Sequence, residues 1–306
     1  MGSEKFKIGA GYVLICLIWG STWLAIRIGL DSLTPIISGG IRFICASIFI
    51  FGLIKLNKVS FQTDSLSVKL YFIMGIFSFV IPFGLVYWAE QFIPSGLASI
   101  LFAAMPFGVI LFSWLFLPDN KILSNQVAGV LIGFIGTVII FSDNLIIDLS
   151  EYFLGMLAVL ISAIMQAAIA VIIKKYGRHL HPLSMNLVPL MIAGFVMVIA
   201  GLIFEESSSW SFDFKAVGSI LYLAFFGTVV TFSIYYWLLK KINIVVLSLS
   251  SFITPIVAVI LGWIVLSERL SIQTLIGSAL VLMGILFANF RQLIKFIESK
   301  RNVPIT

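Results

Sequence analysis

The chain has 306 residues, of which 61% are hydrophobic and only 10% are charged. Soluble domains are about 45–50% apolar and about 25% charged, so this composition excludes a soluble enzyme, a nucleic-acid-binding domain and a secreted scaffold. The formal net charge of +6 is distributed over short clusters along the chain rather than over one continuous stretch. The sequence predicts an integral membrane protein.

Charged clusters divide the chain into apolar segments of about 18–23 residues, each long enough to cross a bilayer. The first segment follows Lys5 and Lys7 and exceeds the roughly 7–15-residue apolar region of a secretory signal, so we expect it to be retained. We predict an all-α fold of ten transmembrane helices, at residues 8–30, 34–54, 70–88, 93–117, 125–142, 152–173, 183–204, 216–239, 243–266 and 272–291.

The basic residues fall almost entirely in alternate loops. Of the 19 Lys and Arg residues, only Lys215 and Arg269 lie in the loops opposite the termini, and Arg27 and Arg42 lie within predicted spans. Because basic residues collect in cytoplasmic loops, both termini are predicted to be cytoplasmic.

The two halves of the chain resemble each other. A shift of 149 positions pairs Phe83 with Phe232, Tyr87-Trp88 with Tyr236-Trp237, Pro106 with Pro255 and Trp114 with Trp263. Each half then has five spans, and an odd number makes the second half enter the membrane from the opposite side. Such inverted repeats are common in secondary transporters, whose halves enclose a midplane site. We expect a first repeat at 8–143, a second at 150–292 and a cytoplasmic tail at 293–306.

Local motifs add a family resemblance over roughly residues 8 to 292. They are Trp19-Gly20-Ser21-Thr22 followed by Arg27, Arg42 in the second span, the stretch from Glu90 to Ser99 with Pro106 beyond it, and Gly129, Gly133 and Gly136 in the fifth span. With these motifs the chain resembles the drug/metabolite transporter superfamily, in particular its ten-helix members with two EamA-type repeats. The resemblance implies a multi-pass carrier of the plasma (inner) membrane without a metal or organic cofactor.

The sequence therefore predicts a secondary transporter rather than an enzyme. It would move small organic metabolites such as amino acids by alternating access, as an exporter or a facilitator. Drugs and nucleoside or sugar derivatives are the alternative solutes for the same fold. We expect a small-molecule solute and membrane lipids as partners, no nucleic acid, and a monomer or homodimer.

Two further classes are disfavoured. An intramembrane enzyme would need clustered acids or an HExxH motif, whereas both histidines lie in one loop at 174–181 and Cys16 and Cys45 lack metal-ligand spacing. A membrane sensor or assembly subunit needs no chemistry, but the chain has no soluble domain to carry a signal.

Arg42 and Arg27 are the only ionised groups predicted within spans, and they favour zwitterionic, neutral or anionic solutes. A charge near mid-membrane costs about 2.5–3.5 kcal/mol, so Arg42 should face protein or water. It is either a counter-charge for a substrate carboxylate or phosphate, or a partner of helix carbonyls. Arg27 lies nearer the outer end, where it snorkels, pairs with Glu90 or contacts substrate. Glu90 is either solvated at the mouth of the pathway or the first candidate for proton or cation coupling.

Aromatic residues are the next candidates for substrate contact. Trp19 and Trp23 share one side of the first span with Arg27, and Trp19 is predicted to form a cavity wall. Two further pairs are either substrate contacts or part of an interfacial aromatic belt: Tyr87, Trp88, Tyr236 and Trp237.

Amides and prolines complete the predicted site. Gln166 and Asn186 are amides in apolar spans, used either for substrate contact or for bonding between helices. Pro106 and Pro255 each remove a mid-span hydrogen bond and are predicted to be paired kinks or hinges. The stripe of Gly129, Gly133 and Gly136 is predicted to let a second helix approach, within the fold or in a dimer.

Overall fold

A computed structural model describes residues 2–117, 123–142, 151–242, 244, 247 and 250–301. Its α-helices, in chain order, are α1 Gly2–Gly29, α2 Pro35–Leu56, α3 Ser65–Met74, α4 Ile81–Ala89, α5 Ser95–Phe102, α6 Met105–Phe116, α7 Ser124–Ser142, α8 Glu151–Tyr176, α9 Ser184–Phe204, α10 Phe214–Ala224, α11 Thr231–Lys241, α12 Ser250–Leu266 and α13 Ile272–Arg301. The predicted boundary between the repeats, at 143–150, lies outside the described residues. The predicted tail begins inside α13, which continues to Arg301.

Seven helical stretches of the described chain are long and apolar enough to cross a membrane. They are Phe6–Gly29, Pro35–Leu56, Ser65–Ala89, Ser95–Phe116, Glu151–Tyr176, Ser184–Phe204 and Phe214–Lys241. The other three predicted spans coincide with shorter apolar helices, Ser124–Ile140, Ile253–Leu266 and Ile272–Ala288. Many large apolar side chains are exposed on the outside of the bundle, among them Phe72, Phe195 and Trp263. An apolar surface of this extent is suited to lipid and not to water.

Two spans contain a π-helical turn at matching places. Gly75–Val80 joins α3 to α4, and Phe225–Val230 joins α10 to α11. A π-helical turn leaves backbone carbonyls without their usual partners in the helix, and such turns occur frequently at functional sites. In the first half the effect is increased by Pro82, which has no N–H to donate.

The helices pack in a pattern that repeats between the halves. Helix α1 packs against α10, α11 and α12 of the second half, and α8 packs against α4, α5 and α6 of the first. In two further contacts a helix packs against the helix at the same position in the other half: α2 against α9, and α7 against α13. Each half is therefore built around the first helix of the other.

The predicted glycine stripe lies in the contact between α7 and α13. A Cβ atom added to Gly129 would lie 2.5 Å from the carbonyl oxygen of Gly284, and one added to Gly136 would lie 2.5 Å from that of Gly277. Gly133 instead faces the ring of Phe107. The backbones touch because no side chain separates them, so the stripe packs within the fold.

Candidate functional site

A cavity of about 110 Å³ lies among helices α1, α4, α8, α11 and their neighbours. A single water needs only about 10–15 Å³ on this measure, so the cavity has room for a small organic molecule. Its walls are mostly apolar. The polar lining residues are Thr22, Arg42, Ser78, Ser162, Gln166, Tyr235, Tyr236, Ser250 and Thr254.

Aromatic rings form much of the wall. The Trp19 ring lies 5.5 Å from Phe232 and 5.4 Å from Tyr235, measured between ring centroids. Trp23 lies 5.4 Å from Phe102 in an edge-to-face arrangement. These separations are in the favourable range for aromatic pairs, so the rings support one another and present a firm surface to a bound solute.

Arg42 is the cation of this wall, and its side chain is only 1% exposed. Its Nε donates to Thr228 Oγ1 at 3.0 Å, its Nη1 to the Tyr87 hydroxyl at 3.3 Å and its Nη2 to the carbonyl oxygen of Gly227 at 3.3 Å. The guanidinium also lies 5.0 Å from the centroid of the Phe83 ring. Among the described residues no carboxylate forms a salt bridge with it.

The π-helical turns explain why Arg42 and Gln166 are held in place. Arg42 binds the carbonyl of Gly227 in the second turn. In the first turn, Gln166 Nε2 donates to the Ser78 carbonyl at 2.8 Å, and its Oε1 accepts from the Ser78 hydroxyl at 2.7 Å. Ser78 and Gly227 are equivalent in the 149-residue register, so each half offers a freed carbonyl beside the cavity and each is bound by a predicted site residue.

Of the nine residues predicted to bind substrate, five line the cavity: Trp19, Trp23, Arg42, Gln166 and Tyr236. Tyr87 lies behind Arg42, fully buried, and accepts its hydrogen bond. The other three lie outside the cavity. Trp88 packs on Phe92, with 5.1 Å between centroids, and Trp237 is half-buried beside Gly11. Asn186 is buried and donates to the carbonyl of Pro182 at 3.0 Å.

Several lining residues were not predicted as contacts. Ser162 precedes Gln166 by one helical turn and shares its face, which the sequence spacing indicated. Phe83 and Phe232 were already paired by the internal repeat, and both line the cavity. Ser78 and Tyr235 carried no such signal, because the local rotation of the helix at each π turn does not follow from the 3.6-residue period.

The residues predicted for coupling and for hinges do not form one cluster. Arg27 Nη1 donates to the backbone carbonyl of Glu90 at 3.2 Å, not to its carboxylate. Glu90 is 0% exposed, so the interpretation that it is solvated at the mouth is wrong: the neighbouring helices enclose it. Pro106 is the second residue of α6, just after the break that follows α5, and its missing N–H needs no partner there. Pro255 lies inside the continuous helix α12.

One end of the bundle carries carboxylates, and we call it the carboxylate end; it contains Asp31, Glu90, Glu205, Asp213 and Glu268. The Glu205 carboxylate accepts from the backbone N–H groups of Ile36 and Ile37, at 2.7 and 2.8 Å, at the start of α2. The Glu268 carboxylate accepts from Ser95 N, Ser95 Oγ and Gly96 N, at 2.8–3.1 Å, at the start of α5. Helix N-termini attract negative charge, so these contacts are favourable caps.

The opposite end, which we call the basic end, contains Lys174, Arg178, Lys240 and Lys241. The ammonium group of Lys174 donates to the carbonyls of Leu239 and Ile242, and that of Lys240 donates to the carbonyl of Leu180. A pocket of about 400 Å³ opens here, lined by Lys174, Arg178 and Lys240. It shares Ile173 and Tyr236 with the central cavity, so the two spaces adjoin.

Two aspartates outside the spans cap helices, one at each end. The hydrogen bonds from Ser67 hold the pKa of Asp64 below its usual range at the start of α3, on the basic end. Hydrogen bonds from the N–H of Ala216 and the hydroxyl of Ser32 likewise hold the pKa of Asp213 below its usual range, at the start of α10. Within the described part of the chain, no group of three or more His, Cys, Asp or Glu is placed to hold a metal ion.

These features define a class of protein: a multi-pass helical membrane protein with an aromatic cavity enclosed among its helices. The model of the EamA-like transporter family matches residues 7–142 and again residues 153–290. The chain therefore belongs to the EamA-like transporter family, within the drug/metabolite transporter superfamily that its motifs resemble.

Relatives of similar length carry transporter names. The uncharacterized transporter YoaV of Bacillus subtilis is 29% identical over 287 residues, which are 93% of this chain and 97% of YoaV. The uncharacterized inner membrane transporter YedA of Escherichia coli is 30% identical over 261 residues, 83% of this chain and 81% of YedA. A solved crystal structure shares the fold, with a TM-score of 0.69 at 18% identity, over 93% of this chain and 98% of that one.

Proposed function

We propose that this protein is a secondary transporter that moves small organic metabolites carrying a carboxylate, such as amino acids, by alternating access. The observation that carries the proposal is Arg42, a buried guanidinium on the cavity wall with no acidic partner among the described residues. A buried charge favours a bound counter-charge, because it has lost most of its hydration. A solute carboxylate would supply that charge.

Ten spans in two inverted repeats are part of the proposal. The exchange of neighbours between α1 and α8 supports this arrangement, as do the π-helical turns at equivalent places in the two halves. The two copies of the family match, one in each half, are consistent with a duplicated unit. In this arrangement the halves enclose the cavity and rock about it.

The positive-inside rule supports an orientation with the basic end and both termini in the cytoplasm. The carboxylate end then faces outward, and the pocket at the basic end is the cytoplasmic approach to the cavity. Pro106 and Pro255 are the proposed hinges: Pro106 lies in the first turn of α6, just after a helix break, and Pro255 lies within α12.

The aromatic wall favours a second candidate. Trp19, Phe83 and Phe232 offer ring faces on which a planar heterocycle can stack. A nucleoside, sugar derivative or planar drug would use these faces, and Arg42 would bind an oxygen of such a solute.

Counterflow uptake in proteoliposomes tests the proposal, using labelled amino acids first and labelled nucleosides second. Arg42→Ala is expected to lower amino-acid uptake at least about tenfold, since a charged hydrogen bond contributes about 1.5–3 kcal/mol. Arg42→Lys keeps the charge but loses the forked geometry, so partial uptake is expected. Arg269→Ala, an exposed cation outside the cavity, is the control and should transport like the wild type.

Two results would count against the proposal. Full amino-acid uptake by a folded, monodisperse Arg42→Ala protein would show that Arg42 is not the counter-charge. Uptake of nucleosides but not amino acids by the wild type would favour the second candidate.

A further inference from the structure

Glu90 is a fully buried carboxyl group that the solute site does not use. It is 0% exposed, and neither carboxylate oxygen has a hydrogen-bond partner among the described residues. Buried polar groups are almost always hydrogen-bonded, so it is unusual that both carboxyl oxygens of one residue have no partner. An unpartnered carboxylate costs far more to bury than an unpartnered neutral acid, so this site favours binding of a proton.

The charged groups around Glu90 have other partners. Arg27, from α1, donates to the backbone oxygen of Glu90 rather than to its carboxylate. Arg42, from α2, donates to Thr228, Tyr87 and Gly227. Glu268, from the segment before α13, accepts from Ser95 and Gly96. Among the described residues, therefore, no cation forms an ion pair with Glu90.

Glu90 lies in the loop that follows Ala89, beyond the end of its span. Burial raises the pKa of Glu90 well above its usual range, and the Glu268 carboxylate raises it further. The positive charges of Arg27 and Arg42 lower it, but burial dominates. The Tyr87 hydroxyl, which also faces this region, is bound to Arg42. Burial therefore favours the neutral acid over the carboxylate.

The position of Glu90 links it to the cavity. Val86 lines the cavity, and Glu90 follows it by one helical turn toward the carboxylate end. Across from it, Gly155 of α8 approaches the backbone of Ala89. Glu90 thus lies in the layer that separates the cavity from the outer surface at this end.

We propose that Glu90 is the proton-binding site of this transporter, protonated while the carboxylate end is closed and ionised when that end opens. This inference rests on the proposed function for its meaning in transport. On opening, water enters, the carboxylic acid releases one proton to the solution on that side, and the carboxylate is stabilised by hydration and by Arg27. On closing, one proton is taken up from the same side, and no other group changes its charge. Acid on that side therefore favours the closed form.

Two readouts that need no solute test this site on the full-length protein in proteoliposomes. The first is the infrared absorption of protonated carboxyl groups, recorded separately at acid and at neutral pH. We expect the absorption of a protonated, buried carboxyl group that persists at neutral pH in the wild type, is absent in Glu90→Gln and is retained in Glu206→Gln. Glu206 is an exposed carboxylate of the same end, so it is the matched control.

The second readout is labelling of Val86→Cys by an impermeant maleimide applied from the carboxylate end, in protein with Cys16 and Cys45 replaced by Ala. Each rate is divided by that of the unfolded protein at the same pH, because a thiol reacts as its thiolate and labels faster in alkali by itself. Labelling should rise several-fold from acid to alkaline pH in this background. Glu90→Gln mimics the neutral acid and should keep labelling low at both values. Glu90→Asp should restore a pH dependence, which separates loss of the acid from loss of the fold.

The outcomes are distinguishable from failure of the proposed function. An unchanged infrared band in Glu90→Gln, or the same pH profile of labelling in wild type and Glu90→Gln, overturns the proton site whatever is transported. If both expected results are obtained but no solute in the panel shows counterflow, the proton site stands and the proposed function fails.

Discussion

The two ends of the bundle are closed by opposite kinds of contact. At the carboxylate end, Glu205 and Glu268 accept hydrogen bonds from the first N–H groups of α2 and α5. At the basic end, Lys174 and Lys240 donate to carbonyl oxygens at or near helix C-termini. Both arrangements complement the helix dipole, but they connect different parts of the chain.

The carboxylate caps join the two halves, whereas the contacts of Lys174 and Lys240 do not. Glu205 and Glu268 belong to the second half and bind helices of the first. Lys174 and Lys240 bind carbonyls within their own half. At the basic end the halves are joined by the exposed pair Lys241–Glu4 at 2.9 Å, by Ser67 Oγ and His179 Nε2 at 2.9 Å, and by the N–H of His181, which donates to Gln62 Oε1 at 3.2 Å. These contacts are exposed or only partly buried, and such contacts contribute little. This arrangement is therefore firmly closed at the carboxylate end, and the basic end is the one we expect to open more easily.

The largest effect should come from neutralising a cap that joins the halves. In Glu268→Gln the amide NH2 would oppose the N–H donors of Ser95 and Gly96, and a hydrogen bond to a charged group contributes about 1.5–3 kcal/mol. We expect labelling of Val86→Cys from the carboxylate end to rise about tenfold or more. Glu206→Gln should leave labelling unchanged, and an unchanged rate in Glu268→Gln would show that this cap does not close the end.

A smaller effect is expected at the basic end. Lys174→Met keeps most of the apolar stem but removes the bonds to the carbonyls of Leu239 and Ile242. Water in the adjoining pocket can replace those bonds, so the change should stay near the 0.5–1.5 kcal/mol of an ordinary hydrogen bond. Labelling of Ile173→Cys from the basic end should rise a few-fold. A rise as large as that of Glu268→Gln would contradict the difference between the ends.

The helical membrane fold could be predicted because the lengths of the apolar segments, and the charged clusters between them, are visible in the sequence itself. The sequence also selected Trp19, Trp23, Arg42, Gln166 and Tyr236, whose residue types are unusual within apolar spans and which line the cavity. That they bind substrate stays a prediction. The sequence did not predict that Trp88, Trp237 and Asn186 face away from the cavity. Their placement depends on helix rotation, which the sequence of a single span does not determine. For Trp88 and Trp237 a π-helical turn earlier in the same span also changes that rotation. The caps made by Glu205 and Glu268 were also missed, because their partners are more than 160 residues away in the chain.

The smallest effect concerns acid pH and should be alike at the two ends. Asp213 and Asp64 have pKa values below the usual range of aspartate because each accepts hydrogen bonds at a helix start. Their stabilisation is present above the unfolded-state pKa and is lost as the pH falls through the lower folded-state pKa. Thermal unfolding should therefore shift slightly downward only in strong acid, and Asp213→Asn and Asp64→Asn should each remove a similar part of that shift. Neither group titrates near neutral pH. A change of Val86→Cys labelling between mildly acid and alkaline pH that remains after division by the rate of the unfolded protein, and that persists in both variants, must therefore come from another group. A loss of that change in Asp213→Asn alone would instead assign the response of the carboxylate end to this cap and remove the need for Glu90.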